Sequence, residues 1–276
     1  MERFLLSLLL LLTHAVSAQP VVSYGNNAAA GNYATVNGIK MYYEVYGSGQ
    51  PVLLLHGNGG SIAGRAAQIA QLSKQYKVIA VDSRCHGKTE CETGDLDYEM
   101  MASDINGLLN QLSVDSAMIW GHSDGAILGL IMAYTYPDKV KRLLATGANL
   151  TPDTVAFYPE ILDMINIHPK VKDTMMKKHL KLMALHPNIK KEKLMQIKAP
   201  VLVMAGDRDA IRNEHTVSIF NHIPNSQLCI LPGTTHFITN EKPVLFMQLL
   251  TDFFEKPFRM PSTIAIAKRM AQQMIH

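Results

Sequence analysis

The stretch whose reading decides the fold is Ser116-Ala117-Met118-Ile119-Trp120-Gly121-His122-Ser123-Asp124-Gly125-Ala126-Ile127-Leu128. Residues 116–120, apolar from Ala117 onward, form a short run of strand length. Residues 126–136 read as an apolar helix that Pro137 ends. Between the two stands Gly-x-Ser-x-Gly, with the serine at position 123. Between a strand and a helix this pattern marks a nucleophile elbow. The serine sits in a tight, strained turn, and side chains at the flanking glycine positions would collide with neighbouring elements. The turn lifts the hydroxyl above the sheet, beside helix N–H groups that lack intrahelical acceptors.

The same alternation continues in both directions. Upstream, residues 33–36 and 39–45 flank Asn37-Gly38, a strong hairpin signal. Residues 51–55 are apolar throughout, which fits a strand buried on both faces, and His56-Gly57 stops them. A helix is predicted over 62–76, a strand over 78–81 and a helix over 98–112. Downstream come strands at 142–145, 199–205 and 227–231, with helices near 213–222 and from about 240 to 254. Buried strands alternating with helices predict a mostly parallel central sheet flanked by helices. Residues 150–198 break the rhythm. They are rich in Met and Lys, show no strand signal, and carry helix-like segments at 160–167, 170–185 and 190–197. They read as a small helical cap inserted into an α/β core, and the lysines as a solvated face. The predicted organisation is core at 33–149 and 199–256, cap at 150–198, a linker at 19–32 and a tail at 257–276 holding one short amphipathic helix.

A serine hydroxyl is a poor nucleophile at neutral pH and needs a base. For this elbow the chain order is serine, acid, histidine. Gly206-Asp207-Arg208-Asp209 follows the strand at 199–205, and Pro232-Gly233-Thr234-Thr235-His236 follows the strand at 227–231. Both lie just past the C-terminal ends of predicted parallel strands, where open α/β sheets place their sites. His236 is the candidate base, and Asp207 and Asp209 are both candidate acids.

With these motifs together, residues 33–254 resemble the α/β-hydrolase fold family. The resemblance implies Asp209 as the acid, since the family uses the second Asp of Gly-Asp-x-Asp, with Asp207 as the alternative. His56-Gly57-Asn58-Gly59-Gly60 resembles the family's oxyanion segment. That implies main-chain N–H donors at Asn58 and at Asp124, the residue after the nucleophile. Asp82-Ser83-Arg84-Cys85-His86-Gly87 resembles the family's Asp-x-Arg-Gly-His-Gly loop, with Cys85 in place of glycine. Arg84 and His86 are expected to hold loops together there. Ser123-Asp124-Gly125 is similar to the elbow of valacyclovir-hydrolase-like (biphenyl-hydrolase-like) proteins, where the Asp recognises a substrate α-amino group. Asp124 is therefore also a candidate substrate-binding residue.

Other patterns carry no chemistry. Gly87-Lys88-Thr89 lacks the earlier glycine of a P-loop, and Gly57-x-Gly59 lacks the third glycine of a dinucleotide site. His179 and His186 would lie about 10 Å apart along a helix, too far to share a metal. No metal and no cofactor is expected. Met164, Met175, Met176 and Met183 are read as packing, here as a pliable pocket roof, and Met164 and Met176 are expected to line it. Hydrophobic residues at 47% and charged residues at 18% permit a large core and exclude disorder as the main state. A net charge of +3 is too mild for a nucleic-acid binder.

Met1-Glu2-Arg3, the apolar run at 4–12 and the small residues ending Val16-Ser17-Ala18 have the layout of a secretory signal peptide over 1–18. The alternative is an uncleaved anchor, although the run is shorter than the ~20 residues that span a bilayer. Cleavage would leave a secreted or periplasmic protein that begins at Gln19 and has no stable membrane span. Cys85 and Cys91 are open to a disulfide or to two free thiols. The leading expectation is a serine hydrolase of a carboxylic ester or related acyl bond, acting on a small molecule. Carbon–carbon bond hydrolases and cofactor-free haloperoxidases of the same fold also keep the serine. A binding protein that retains the triad is the reading from another class.

Overall fold

A computed structural model describes residues 22–92 and 94–275. The expected signal peptide and residues 19–21 of the expected linker lie outside the described residues. Eight strands form one sheet: β1 (Gly31–Val36), β2 (Ile39–Tyr46), β3 (Pro51–Leu55), β4 (Lys77–Val81), β5 (Ala117–His122), β6 (Val140–Thr146), β7 (Val201–Gly206) and β8 (Ser226–Leu231). Their order across the sheet is β1-β2-β4-β3-β5-β6-β7-β8. The β1–β2 and β2–β4 pairs are antiparallel, and every other pair is parallel.

The uninterrupted apolar runs follow from this layering. In β3, Leu53 and Leu55 face one core, while Val52 and Leu54 face the other. A strand buried on both faces needs apolar side chains at every position. Helices α2 (Tyr98–Gln111) and α3 (Asp124–Thr135) cover the first face. Helices α1 (Ala66–Leu72) and α9 (Pro243–Glu255) cover the second. Helix α3 is buried from Asp124 to Ala133 on all sides, so it shows no polar stripe.

Several boundaries differ from the sequence reading, each for a local reason. The helix predicted over 62–76 is a 3-10 turn, Ile62–Arg65, followed by the short α1. The helix predicted over 240–254 is broken at Lys242 into α8 (Ile238–Glu241) and α9, because a residue before proline is steered out of the α region. The linker expected over 19–32 is a correction. Its described part is docked on the sheet, and Gly31 and Asn32 already pair in β1. Buried Glu44 on β2 causes this: its carboxylate accepts the N–H groups of Gly25 (2.7 Å) and Asn27 (2.9 Å) and the hydroxyls of Tyr42 and Tyr46. Gly- and Asn-rich composition reads the same for a free linker and for turns tied to a carboxylate.

Between β6 and β7 lie α4 (Pro159–Ile165), α5 (Thr174–Leu185) and the single-turn α6 (Lys191–Leu194), and α7 (Asn213–His222) joins β7 to β8. Helix α5 starts at Thr174 because the Asp173 carboxylate caps it, accepting Met176 N–H at 2.7 Å. One isolated antiparallel bridge, Phe157 with Ile211, ties this segment to the core. Cys85 and Cys91 are joined by a disulfide. Helix α5 is fastened across it: His179 Nε2 lies 2.9 Å from Cys85 O, Lys178 donates to Glu92 O, and Lys181 pairs with Asp95. Helix α10 (Thr263–Ile275) closes the chain, exposed along its described side chains.

Arg84, in the loop after β4, makes a two-point ion pair with Asp104 of α2, at 2.7 and 2.8 Å, and reaches Asn37 O of the first hairpin. Both charged side chains are almost fully buried. Removing Asp104 would leave the buried Arg84 charge with only the exposed Glu92 carboxylate, 3.4 Å away. Asp104→Asn is expected to lower unfolding free energy by about 3–5 kcal/mol, with much of it recovered in an Arg84→Met/Asp104→Leu double variant. Urea unfolding checks this, and a single-variant loss under about 1 kcal/mol contradicts it.

Candidate active site

Strand β5 runs directly into the elbow. Ser123 has φ 56° and ψ −120°, a main-chain conformation that few non-glycine residues adopt. Its N–H donates to Thr146 O on β6 at 2.8 Å, and its carbonyl accepts from Ala126 and Ile127. The two glycines are required by contact. A Cβ at Gly121 would strike the Gly125 carbonyl, and a Cβ at Gly125 would strike the Leu55 carbonyl at the end of β3. Asp124 opens α3, so its N–H has no intrahelical acceptor.

Asp209 follows β7 and His236 follows β8, as the sheet order requires for neighbouring strand ends. His236 Nδ1 lies 2.7 Å from Asp209 Oδ1. Asp209 is buried and also accepts Ile211 N–H at 3.0 Å and Gly206 N–H at 3.4 Å. Burial pushes its carboxyl up. The hydrogen bond and charge of His236, with the two main-chain donors, outweigh that and hold it below the ordinary carboxylate range. Asp207 points elsewhere: its carboxylate accepts Thr234 N–H at 3.2 Å and braces the turn before His236. No hydrogen bond joins Ser123 to His236 among the described residues, although both line one cavity. Such contacts often tighten only when substrate is bound.

That cavity has a volume of about 250 Å³. Its wall includes Ser123, Asp124, His236, Tyr98 and Asn149, and it is otherwise largely apolar. Helices α4 and α5 supply Ile161, Met164 and Met183. A larger groove of about 730 Å³ lies at the β8 edge and holds none of these polar residues. The smaller cavity is the candidate site, because Ser123, His236 and enclosure coincide there.

Asn58 sits beside the elbow. Its side-chain amide donates to Asp124 Oδ2 at 2.9 Å and to His179 O of α5 at 3.3 Å. Its main-chain N–H has no main-chain acceptor among the described residues. Burial pushes the Asp124 carboxyl up, while Asn58 and Tyr98 as donors pull it back. His56 serves the loop. It accepts Ser83 N–H at Nε2 and donates from Nδ1 to Gly57 O, and burial with His86 nearby pushes it down to about 3.

Met176 is a correction. It is exposed and does not line the cavity, whereas Met164 and Met183 do. Met176 and Met183 share a face of α5 but lie about 10 Å apart along its axis, and only the C-terminal end passes over the cavity. Tyr98, Asn149, Phe157, His186 and Phe237 are wall residues that sequence reasoning missed. Phe237 could have been found as the neighbour of His236. Tyr98 reads only as the first residue of a helix. Among the described residues, no cluster of His, Cys, Asp and Glu is arranged to hold a metal.

The α/β hydrolase fold family model matches residues 50–186. Serine hydrolase BPHL of Homo sapiens is 26% identical, over 92% of this chain and 96% of its own length. A 2-hydroxy-6-oxo-2,4-heptadienoate hydrolase of Pseudomonas putida is 32% identical over 44% of this chain and 46% of its own. A hydrolase structure from Pseudomonas aeruginosa superposes with a TM-score of 0.74 at 20% identity, covering 83% of this chain and all of that one. Elbow, sheet order and these likenesses agree: the chain is a hydrolase that belongs to the α/β-hydrolase fold family.

Proposed function

We propose that the protein hydrolyses a carboxylic ester or related acyl bond through an acyl-enzyme. The observation that carries this reading is the 2.7 Å bond from His236 to Asp209, with His236 and Ser123 on the wall of one cavity. Ser123 attacks the carbonyl carbon while His236 takes its proton. Asp209 holds the imidazole in the required tautomer and stabilises its cation. The main-chain N–H groups of Asn58 and Asp124 receive the developing oxyanion, at about 3 kcal/mol or more per donor. His236 then protonates the leaving group and activates the water that releases the acid.

Asp124 gives the reading a substrate preference. It is the cavity wall's carboxylate, and that wall contains no Lys or Arg. A substrate bearing an ammonium group near its carbonyl would meet a buried carboxylate beside the nucleophile. Serine hydrolase BPHL supports the broader assignment at family level. The proposal extends to location: the residues at 1–18 direct export, and the Cys85–Cys91 disulfide suits an oxidising compartment.

In a fluorogenic ester assay Ser123→Ala loses turnover, and Asp209→Asn cuts kcat by on the order of 10⁴, with Asp207→Asn far milder. Near-parent turnover in Ser123→Ala, or a reversed order of the two Asp variants, contradicts the assignment. Failure of a serine-directed fluorophosphonate to label the parent would favour the binding-protein reading. Across esters varied in acyl length, Met164→Ala and Met183→Ala shift relative kcat/KM by ~10-fold and Met176→Ala leaves it flat. In the same panel Asp124→Asn removes any preference for α-amino substrates. Finally, protein taken from the native cell should begin at or near Gln19, and an intact Met1 in a cytoplasmic fraction refutes export.

A further inference from the structure

We propose that His122 and Arg65 are positioning residues for the base, tying the main chain of His236 to the elbow that carries Ser123. This rests on the hydrolytic reading of Ser123, His236 and Asp209. His122 immediately precedes the nucleophile. Its ring Nε2 lies 2.9 Å from the carbonyl oxygen of His236, and its Nδ1 lies 3.0 Å from Arg65 Nη2. A carbonyl can only accept and a guanidinium can only donate. One arrangement satisfies both: a neutral imidazole with its proton on Nε2 and a bare Nδ1. Burial, with His236 and Arg65 close by, pushes His122 down to about 3, so the neutral ring persists at neutral pH.

Arg65 is placed for this contact. It has no carboxylate partner among the described residues, and its Nε finds no hydrogen-bond acceptor. The guanidinium lies 5.1 Å from the centre of the Trp120 ring on β5. Its one described side-chain hydrogen bond runs to His122. The cation thus selects the tautomer that can grip His236. Asp209 orients the His236 ring from its Nδ1 side, and His122 fixes the main chain from which that ring hangs. The two imidazoles are 4.8 Å apart, centre to centre. Nucleophile and base, on loops 113 residues apart in sequence, are therefore spaced by a single side chain that adjoins one and bonds the other.

The test compares His122→Leu, His122→Gln and Ser123→Ala with the parent, reading kcat, KM and thermal melting. Loss of the donor should lower kcat by on the order of 10²-fold in His122→Leu, with KM little changed and melting close to the parent. Glutamine offers an N–H to His236 and an oxygen to Arg65, so His122→Gln should recover most of that loss. Parent-like kcat in His122→Leu beside a dead Ser123→Ala overturns the positioning role alone, as do equal losses in the Leu and Gln variants. Retained turnover in Ser123→Ala overturns the hydrolytic reading, and the positioning role with it. Should His122→Leu fail to fold, ring ¹⁵N shifts of His122 in the parent decide. Nε2 protonated and Nδ1 bare supports the proposal, and the reverse tautomer overturns it.

Discussion

One main-chain turn, at Ser123, sets the terms for everything around it. A serine at φ 56° is strained by roughly 1–3 kcal/mol and persists only if its surroundings over-determine it. Three elements do so here. Strand β6 takes the Ser123 N–H, α3 begins on the Ser123 carbonyl, and the end of β3 presses on Gly125. The last contact leaves no room for a Cβ at Gly125, the Gly125 carbonyl leaves none at Gly121, and this is why the motif is written with glycines. Because α3 is buried on every side, the turn cannot relax without disturbing the core on that face. The hydroxyl is therefore held at the start of a helix that is buried on every side.

The roof of the cavity is held differently. The two sheet cores are extensive, whereas α4 packs in a small cluster around Ala156, Phe157, Ile165 and Ile211. Helix α5 adds polar fastenings to the loop closed by Cys85 and Cys91, and its His179 ring stacks on His86 at 4.0 Å. A segment with few apolar contacts and many polar ones opens more easily than a sheet core. Asn58 bridges the two regimes, since its amide bonds both Asp124 at the elbow and His179 O on α5. Movement of the roof is thereby felt at the loop that carries Asn58, the proposed oxyanion donor, a connection expected where closure and chemistry must be timed together.

Much of this was legible in the sequence, for identifiable reasons. Strands such as β3 are apolar at every position because they are buried on both faces, and at strand length, between turn residues, little else produces that pattern. The elbow, Asp209 and His236 were legible because each follows a strand at the same edge of a parallel sheet. Side-chain partnerships between distant segments were not. Nothing in local composition tells that Glu44 gathers residues 25–27, that α5 is fastened to the Cys85 loop, or that Met183 overhangs the cavity while Met176 does not. Helix periodicity reports which face a residue occupies but not how far along its neighbour the helix has slid. The tautomer of His122 lies beyond sequence altogether, because it is set by an arginine and a carbonyl from separate loops.

Asp124 presents the sharpest electrostatic conflict in the site, and resolving it narrows the proposed chemistry. In the proposed mechanism its main-chain N–H would stabilise a developing negative oxygen, while its own carboxyl lies on the same cavity wall. Two like charges a few ångströms apart repel by about 4 kcal/mol at an effective dielectric of 20. That is comparable to what an oxyanion-hole donor contributes. The amide of Asn58 and the hydroxyl of Tyr98 disperse part of the carboxylate's charge, but neither cancels it. A cationic group on the substrate would. Bound against Asp124, it would turn a carboxylate that opposes the transition state into half of an ion pair, whose attraction the apolar enclosure strengthens at the cost of desolvating the cation. A neutral ester would leave the conflict in place and react more slowly even if it bound equally well. The residue after the nucleophile would then select substrates through the rate of the chemical step and not through affinity alone, which is where differential binding is most effective.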